Sequence, residues 1–373
     1  MKTIMHIAEA FGGGIVTFLA NLANQQVENY HVVIVHGIRP ETHKNYKDFF
    51  DPRVQLVLVR NFNQRIHFGA EIKALKELRD LIKEHKPDVI HMHSSQAGVL
   101  GKIASIGHKS SKAYSPHGFS FLREDVPAWK RSIFYLIERV FSLCDCVTVA
   151  SSATEFRIAQ KVTSKSILIM NGICSDSLKP YEQITPNNDL PVVGMVGRAL
   201  YQKNPTLFNA IAERMPNVHF EWIGDGSLRH ELQAPNIHIV GWGPREEALE
   251  YVANSDIYIM TSRWEGMPLS LLEAMYLRKP CVVTNVVGNR DVIHNDKNGY
   301  VCNDVDEFVE RIQYLADNPN VRNRLGDQGH KDVETIYNSR VMAKHFSDAY
   351  ASSMEDIKTW HKRDAASYCI SQS

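Results

Sequence analysis

The sequence predicts an α/β protein made of two domains, each a parallel sheet covered on both faces by helices. Three observations carry this expectation. The chain has 373 residues, too many for one ordinary hydrophobic core. Short apolar runs alternate with amphipathic stretches of helical length, the pattern of strands buried between helical layers. One polar, turn-rich stretch, YEQITPNNDLP at 181–191, interrupts that alternation and reads as a linker. We therefore place a first domain at 1–184, a second at 185–338, and a helical segment at 339–373.

In the first domain Thr3 to Ala8 reads as a strand, and Gly12-Gly13-Gly14 follows it and opens the helix Ile15 to Glu28. Backbone without side chains at a helix start lets a ligand approach closely. The spacing is not GxGxxG, and no acid at a strand end is placed to hold a ribose, so the turn alone does not define a dinucleotide site. His31 to His36 and Val54 to Val59 are further strands, and the basic stretch from Arg60 to Lys86 ends in a helix over Lys73 to Lys86 with one core face and one solvated face. Asp88 to His91 is the next strand and delivers His93, Ser94 and Ser95 to the edge where parallel sheets bind ligands. We take His91 and His93 as alternating across that strand with no acidic partner, which argues against a metal there. His117 stands between Pro116 and Gly118 at another strand exit, followed by Phe119, and is a candidate polar site residue. Pro127 to Leu143 is an amphipathic helix whose default explanation is core packing, with lipid contact second.

The second domain repeats the alternation. Val192 to Val196 leads to Gly197-Arg198 and Lys203, two fixed cations at a strand exit. Phe220 to Ile223 leads to Gly224-Asp225-Gly226 and a helix, Ile237 to Val240 to Gly241-Trp242-Gly243, and Asp256 to Met260 to RWEGMPLSLLEAM at 263–275. In that stretch Glu265 lies in a loop and Pro268 suits the first helical position. Leu269 to Leu277 carries apolar residues at helical spacing, and Glu273 lies inside that helix. The helix start offers N–H groups to an anion beside a carboxylate that accepts from hydroxyls. Asp304-Val305-Asp306 matches a metal-binding DxD but precedes a helix and reads as its cap.

Charge balances at 42 basic against 42 acidic residues, yet unevenly. Residues 1–180 hold 23 Lys and Arg against 16 Asp and Glu, and the remainder 19 against 26. A basic first half suits an anionic partner such as a membrane surface or a diphosphate lipid, as well as a plain solvated face. We expect no nucleic-acid partner. Six cysteines show no metal-ligand spacing and mostly sit in apolar runs, as reduced thiols do. No apolar run reaches the roughly 18 residues needed to span a bilayer. The expected address is the cytoplasm, with peripheral contact at the anionic inner face of the membrane.

GRALYQK, IGDGSLRHEL, NSDIYIMTSRWEGMPLSLLEAM and KPCVVTNVVGNRDVI, in that order, resemble the nucleotide-binding half of family 4 retaining glycosyltransferases of the GT-B architecture. The first half, with AEAFGGGIVTFL, HMHSSQAG and SPHGFSFL, is similar to bacterial members that build capsule, O-antigen or exopolysaccharide. The resemblance implies two domains facing across a cleft and a C-terminal helix returning to the first. Arg198 and Lys203 would then hold the donor diphosphate. Glu265, with Gly266, Met267, Pro268 and Leu269, would hold the donor sugar and diphosphate. Glu273 would hold the ribose, and Gly241-Trp242 would lie near the base. Gly13 and Gly14 would close over the diphosphate, His117 would touch the sugar, and His93, Ser94, Ser95 and Phe119 would lie toward the acceptor.

The implied reaction is retaining, with the acceptor hydroxyl attacking from the face the nucleotide leaves and a donor phosphate oxygen taking the proton, without metal or other cofactor. Were Glu265 and Glu273 on one helix, roughly 12 Å would separate them, against about 5 Å for a double displacement through a carboxylate. A UDP-hexose or UDP-N-acetylhexosamine is the expected donor, GDP- or dTDP-deoxysugars the next, and a glycan or lipid-linked glycan the acceptor. The rivals are a nucleotide-sugar epimerase of the same fold, a dehydrogenase and a non-catalytic glycan-binding protein.

Overall fold

The computed structural model describes residues 1–39, 42–62 and 68–351. Its described residues divide into two compact units, those of Met1–Arg123 with Pro127–Asn171 and Ser339–Ala351 in one, Glu124–Val126 with Gly172–Asn338 in the other. The polar stretch at 181–191 belongs to the second unit. Ile173 donates its N–H to the Tyr337 carbonyl at 2.9 Å and bridges to Asn338, so the chain is already committed to the second unit eight residues before the expected linker at 181–191.

The first unit is one seven-stranded parallel sheet: β1 (Lys2–Ala8), β2 (Tyr30–His36), β3 (Gln55–Leu58), β4 (Val89–His93), β5 (Ser111–Ser115), β6 (Val147–Ala150) and β7 (Ser166–Leu168). Their spatial order is β3-β2-β1-β4-β5-β6-β7, so the winding reverses between β1 and β4. The covering helices are α1 (Gly14–Gln26), α2 (Phe68–His85), α3 (Ser95–Ala104), α4 (Ala128–Phe141) and α5 (Ala153–Val162). The second unit has β8 (Val192–Val196), β9 (His219–Ile223), β10 (Ile237–Ile239), β11 (Ile257–Met260), β12 (Cys281–Thr284) and β13 (Gly299–Cys302) in the order β10-β9-β8-β11-β12-β13. Its helices are α6 (Pro205–Glu213), α7 (Arg245–Asn254), α8 (Leu269–Tyr276), α9 (Asn289–Val292), α10 (Val305–Asp317) and α11 (Pro319–Thr335). A last helix, α12 (Ser339–Ala351), packs on α1 of the first unit, and the expected continuation to Trp360 lies outside the described residues. So do Asn63 to His67 of the basic stretch and Cys369.

Each reversal of winding leaves a crevice at the carboxyl ends of two central strands, where an open parallel sheet takes its ligand. In the first unit the chain leaves β1 through Glu9 to Gly14 and β4 through Ser94 and Ser95. In the second it leaves β8 through Gly197 and Arg198 and β11 through Thr261 to Gly266.

Four local expectations change. The helix after Glu265 starts one residue later than expected, because Pro268 is extended at φ −74°, ψ 123° and serves as its N-cap. After Gly224-Asp225-Gly226 only a 3-10 turn at Arg229–Glu231 forms. His91 and His93 share a face of β4, being two positions apart on a strand, and their ring centroids are 4.0 Å apart. In α4 the single fully buried residue is Glu138, while Trp129, Ile133, Leu136, Ile137 and Val140 are exposed, so its apolar stripe faces away from the core. Asp304 caps α10 as expected, its carboxylate accepting from the Glu307 N–H at 3.0 Å.

Candidate functional site

In the second unit the charged site residues are paired. Lys203 Nζ donates to Glu265 Oε1 at 2.7 Å, and the pair is largely withdrawn from water, at 17% and 8% exposure. The lysine stem reaches this position by lying along Gly197: a Cβ there would stand 3.1 to 3.2 Å from three of its carbons. Asn204, left-handed at φ 55°, turns the chain from Lys203 into α6.

The Glu265 loop is held from both sides. Gln202 accepts the Arg263 N–H at 2.8 Å on its backbone carbonyl, and its side-chain amide donates to the Trp264 carbonyl at 3.0 Å. The Arg263 guanidinium donates to Asn204 Oδ1 at 2.9 Å and lies over the Tyr201 ring. On the other side Gly288, at φ 84°, presses its backbone onto Gly266, where a Cβ would come within 2.2 Å of the carbonyl oxygen. Only glycine fits there, on two independent grounds. Gly266, Met267, Pro268 and Leu269 continue from this clamp into α8, with Met267, Pro268 and Leu269 buried.

Glu273 is not joined to Glu265. Its carboxylate accepts from the Arg245 guanidinium at 2.6 Å, at 13% and 28% exposure respectively. Burial pulls the Arg245 guanidinium down, and attraction to Glu273 more than offsets that, so its net shift is upward. Arg245 follows Trp242 by three positions, which ties the loop of Gly241, left-handed at φ 86°, and Trp242, 64% exposed, to α8. Arg198 is an exposed side chain at the end of β8. Sequence reasoning missed Arg245, Gln202 and Gly288. The glycine in VVGNRD was a visible signal for the clamp, whereas nothing local marks Arg245 as the partner of Glu273.

The first unit is built from imidazoles. His93 Nδ1 lies 3.0 Å from His117 Nε2, and His93 Nε2 lies 3.0 Å from His6 Nδ1. His6 and His93 are fully buried and His117 partly so. Burial pushes the pKa of His6 and of His117 down to about 4, and that of His93 well below the ordinary range, with His91 and His6 adding to the effect on His93. All are therefore neutral at pH 7. His117 is left-handed at φ 52°, held by the adjacent Gly118 N–H donating to Glu155 at 2.8 Å.

Ser94 directs its hydroxyl to Glu9, whose other oxygen accepts from Arg39 at 2.9 Å. Burial, opposed by Ser94 and Arg39, pushes the Glu9 carboxyl up. Ser95 donates to Glu138 at 3.0 Å. His93 and Phe119 are sealed in the interior, Phe119 in the main apolar core, so neither offers an acceptor a contact surface. Gly13, at φ 52°, and Gly14 lead into α1 beside open space.

Among the described residues two groups place metal-type ligand atoms within 4.8 Å of one another: His6, His91 and His93, and, on the β9–β10 edge, His219, Glu221 and His238. In the first group His6 and His93 already share a hydrogen bond, and both His91 nitrogens meet hydroxyls, of Tyr350 and Ser115.

Two parallel-sheet units wound in these orders make up the GT-B fold. The structure superimposes on sucrose-phosphate synthase from Thermosynechococcus elongatus with a TM-score of 0.78, at 16% identity over 94% of this chain and 98% of that one. It superimposes on Anabaena HepE, solved with UDP and glucose, with a TM-score of 0.76, at 14% identity over 95% and 100%. Residues 12–176 match the description "Glycosyltransferase Family 4" and residues 180–332 match "Glycosyl transferases group 1". An Escherichia coli protein named UDP-Gal:alpha-D-GlcNAc-diphosphoundecaprenol alpha-1,3-galactosyltransferase is 28% identical over 72% of this chain and 77% of its own length. The Staphylococcus aureus capsular polysaccharide biosynthesis glycosyltransferase CapM is 22% identical over 77% and 82%. The chain belongs to family 4 of the glycosyltransferases, group 1.

Proposed function

We propose that the protein transfers a hexose or N-acetylhexosamine from its UDP derivative to a hydroxyl of a lipid-diphosphate-linked glycan, with retention at the anomeric carbon and without a metal. The observation that carries this reading is the Lys203–Glu265 pair, 2.7 Å apart where β8 and β11 end. It offers a fixed cation to a diphosphate and, once that cation turns to the phosphates, a carboxylate to sugar hydroxyls. Arg198 adds a second cation to the departing nucleotide. Backbone donors after Pro268 meet the diphosphate at the start of α8. Glu273, steadied by Arg245, accepts from the ribose hydroxyls, with Trp242 near the base. In the first unit Gly13 and Gly14 leave room for the diphosphate and neutral His117 contacts the sugar. No side chain acts as nucleophile, and the acceptor proton leaves on a donor phosphate oxygen. Support for the UDP donor and the lipid-linked acceptor comes from the names of the relatives: the Escherichia coli protein acts on a diphosphoundecaprenol from UDP-Gal, and HepE was solved with UDP.

Thermal denaturation with UDP, GDP and dTDP tests the donor. UDP should raise the midpoint most, since a ligand specific for the folded state stabilises by mass action. Greater stabilisation by GDP or dTDP would move the donor to the deoxysugar class. Incubation with UDP-sugar alone should return it unchanged, whereas an isomerised sugar would make the protein an epimerase.

A peripheral membrane address fits α4. Among the described residues no helix is long and apolar enough to cross a bilayer. Yet Trp129, Ile133, Leu136, Ile137 and Val140 form one exposed stripe, flanked by Lys130, Arg131 and Arg139. An apolar face edged with cations lies well in the headgroup layer of an anionic bilayer. Sedimentation with phosphatidylglycerol vesicles should therefore retain the protein, and the pair Leu136→Glu and Val140→Glu should release it. Equal retention of the variant would remove this role from α4.

A further inference from the structure

We infer that Gln26 and His6, acting through His93, hold His117 in the single tautomer whose Nδ1 carries no proton and accepts a hydrogen bond from a substrate hydroxyl. The inference deepens the reading of His117 as a sugar contact and rests on it for the identity of the hydroxyl alone.

Four side chains from three elements and one strand exit line up. Gln26, the last residue of α1, has Oε1 2.8 Å from His6 Nε2. His6 Nδ1, on β1, is 3.0 Å from His93 Nε2, on β4. His93 Nδ1 is 3.0 Å from His117 Nε2. A neutral imidazole carries one N–H and one lone pair, so each link holds a single proton, and the direction of one link sets every other. An amide oxygen only accepts. His6 therefore donates from Nε2 and offers a lone pair at Nδ1, and His93 donates into it from Nε2. His93 then offers its own lone pair at Nδ1, and His117 donates into that from Nε2. What remains at the far end is His117 Nδ1, unprotonated.

Neutrality of every member is what makes the chain directional. His6 and His93 are 0% exposed, and charging either ring would face two N–H groups at one another across a 3.0 Å link. Burial holds His6 and His117 to about 4, well under physiological pH. His91 stays outside the chain: its nitrogens meet the Tyr350 hydroxyl at 2.7 Å and the Ser115 hydroxyl at 2.9 Å. Hydroxyls both donate and accept, so His91 is free to take either tautomer without disturbing its neighbours. The last ring is fixed in space by the left-handed backbone of His117 and by the edge of Phe18, centroid to centroid 4.6 Å. A metal held by His6, His91 and His93 is the competing use of the same atoms. It would need the lone pairs of His6 and His93 together, which the proton between them denies.

The test is the tautomeric state of His117 in the full-length protein labelled with [15N]histidine, read from long-range 1H–15N correlations at pH 7.5 and assigned with His117→Asn. We expect Nε2 protonated and Nδ1 bare. Gln26→Met removes the anchoring acceptor and should give His117 a mixed spectrum, together with a fall of about tenfold in kcat at unchanged KM for the donor, the loss of one neutral hydrogen bond. A proton on His117 Nδ1 in the native protein, an unaltered His117 spectrum in Gln26→Met, or loss of the His6 and His93 N–H signals on adding zinc would each overturn the inference. The spectra need no substrate. If the tautomers are as expected and no sugar is transferred, the reading of function falls and the hydrogen-bond chain stands.

Discussion

The two units share a winding and a crevice at the same topological place, yet they fill it with opposite electrostatics. The first brings His6, His93 and His117 together as neutral rings, the first two sealed from water and the third at the edge. The second brings Lys203 to Glu265 and Arg245 to Glu273 as ion pairs left partly open to water. A neutral chain fixes direction, because each proton has one place to go. An ion pair fixes charge but stays exchangeable, because either partner can turn to a ligand of the right sign. A diphosphate needs cations that can be redirected, whereas a hydroxyl needs an acceptor of settled orientation, so the difference follows the chemistry proposed for each side.

The largest effect should come from the second unit. Lys203→Ala removes the cation proposed to offset charge on the leaving nucleotide, and transfer should fall by about 10²- to 10³-fold. It also strands Glu265, 8% exposed, without its partner, a cost of about 3–5 kcal/mol in urea unfolding. Adding Glu265→Gln to Lys203→Ala should recover much of the stability and none of the activity. If the double variant is as unstable as the sum of the singles, the pair is not a coupled unit and the contrast with the first unit loses its basis.

The first unit should show itself in pH. An imidazole whose folded pKa is depressed contributes its full share above the unfolded value near 6.5, and that share is lost as pH falls toward the folded value. For His6, at about 4, this amounts to roughly 3 kcal/mol across pH 6.5 to 4. His93 and His117 steepen the decline. Urea midpoints measured from pH 7.5 to 5 should drop steeply, and His6→Gln should flatten the curve while lowering its plateau. An equal slope in the variant would mean that folding does not depress the His6 pKa, and the neutral chain would lose its first ring.

How much of this the residues announce depends on how far apart the partners lie. Strand exits and glycine turns are local, so Gly13, Gly14, Arg198, Lys203, His117 and Glu265 could be named from their flanking patterns, and all fall after strands. Glu265 and Glu273 were legible as separate positions, one in a loop and one in a helix, because Pro268 divides the two. The pairing of Glu273 with Arg245, 28 positions earlier, and the pressure of Gly288 on Gly266 are products of packing and leave no periodic trace. The unit boundary was placed at the most polar stretch, 181–191. It falls earlier because a strand-like bridge at Ile173, not composition, decides where the chain changes allegiance. Helix α4 misled for a further reason: an apolar stripe shows that a face will be covered, not that the core will cover it.

The smallest effect examines the one carboxylate on β9 that breaks the habit of its unit. Glu221 is 12% exposed, and its nearest basic groups are the imidazoles of His219 and His238 at 3.9 and 4.0 Å. Burial alone lifts its carboxyl from 4.5 to about 7. A raised acid costs nothing below the unfolded value and destabilises increasingly as pH rises toward and through the folded one. Glu221→Gln should therefore leave the urea midpoint unchanged at pH 4 and raise stability by about 1–2 kcal/mol at pH 8, less than the full shift implies because water screens the sheet edge. Should the variant instead lose stability at pH 8, the two imidazoles must be charged and paired with Glu221. This edge would then follow the ion-pair rule of the rest of the second unit.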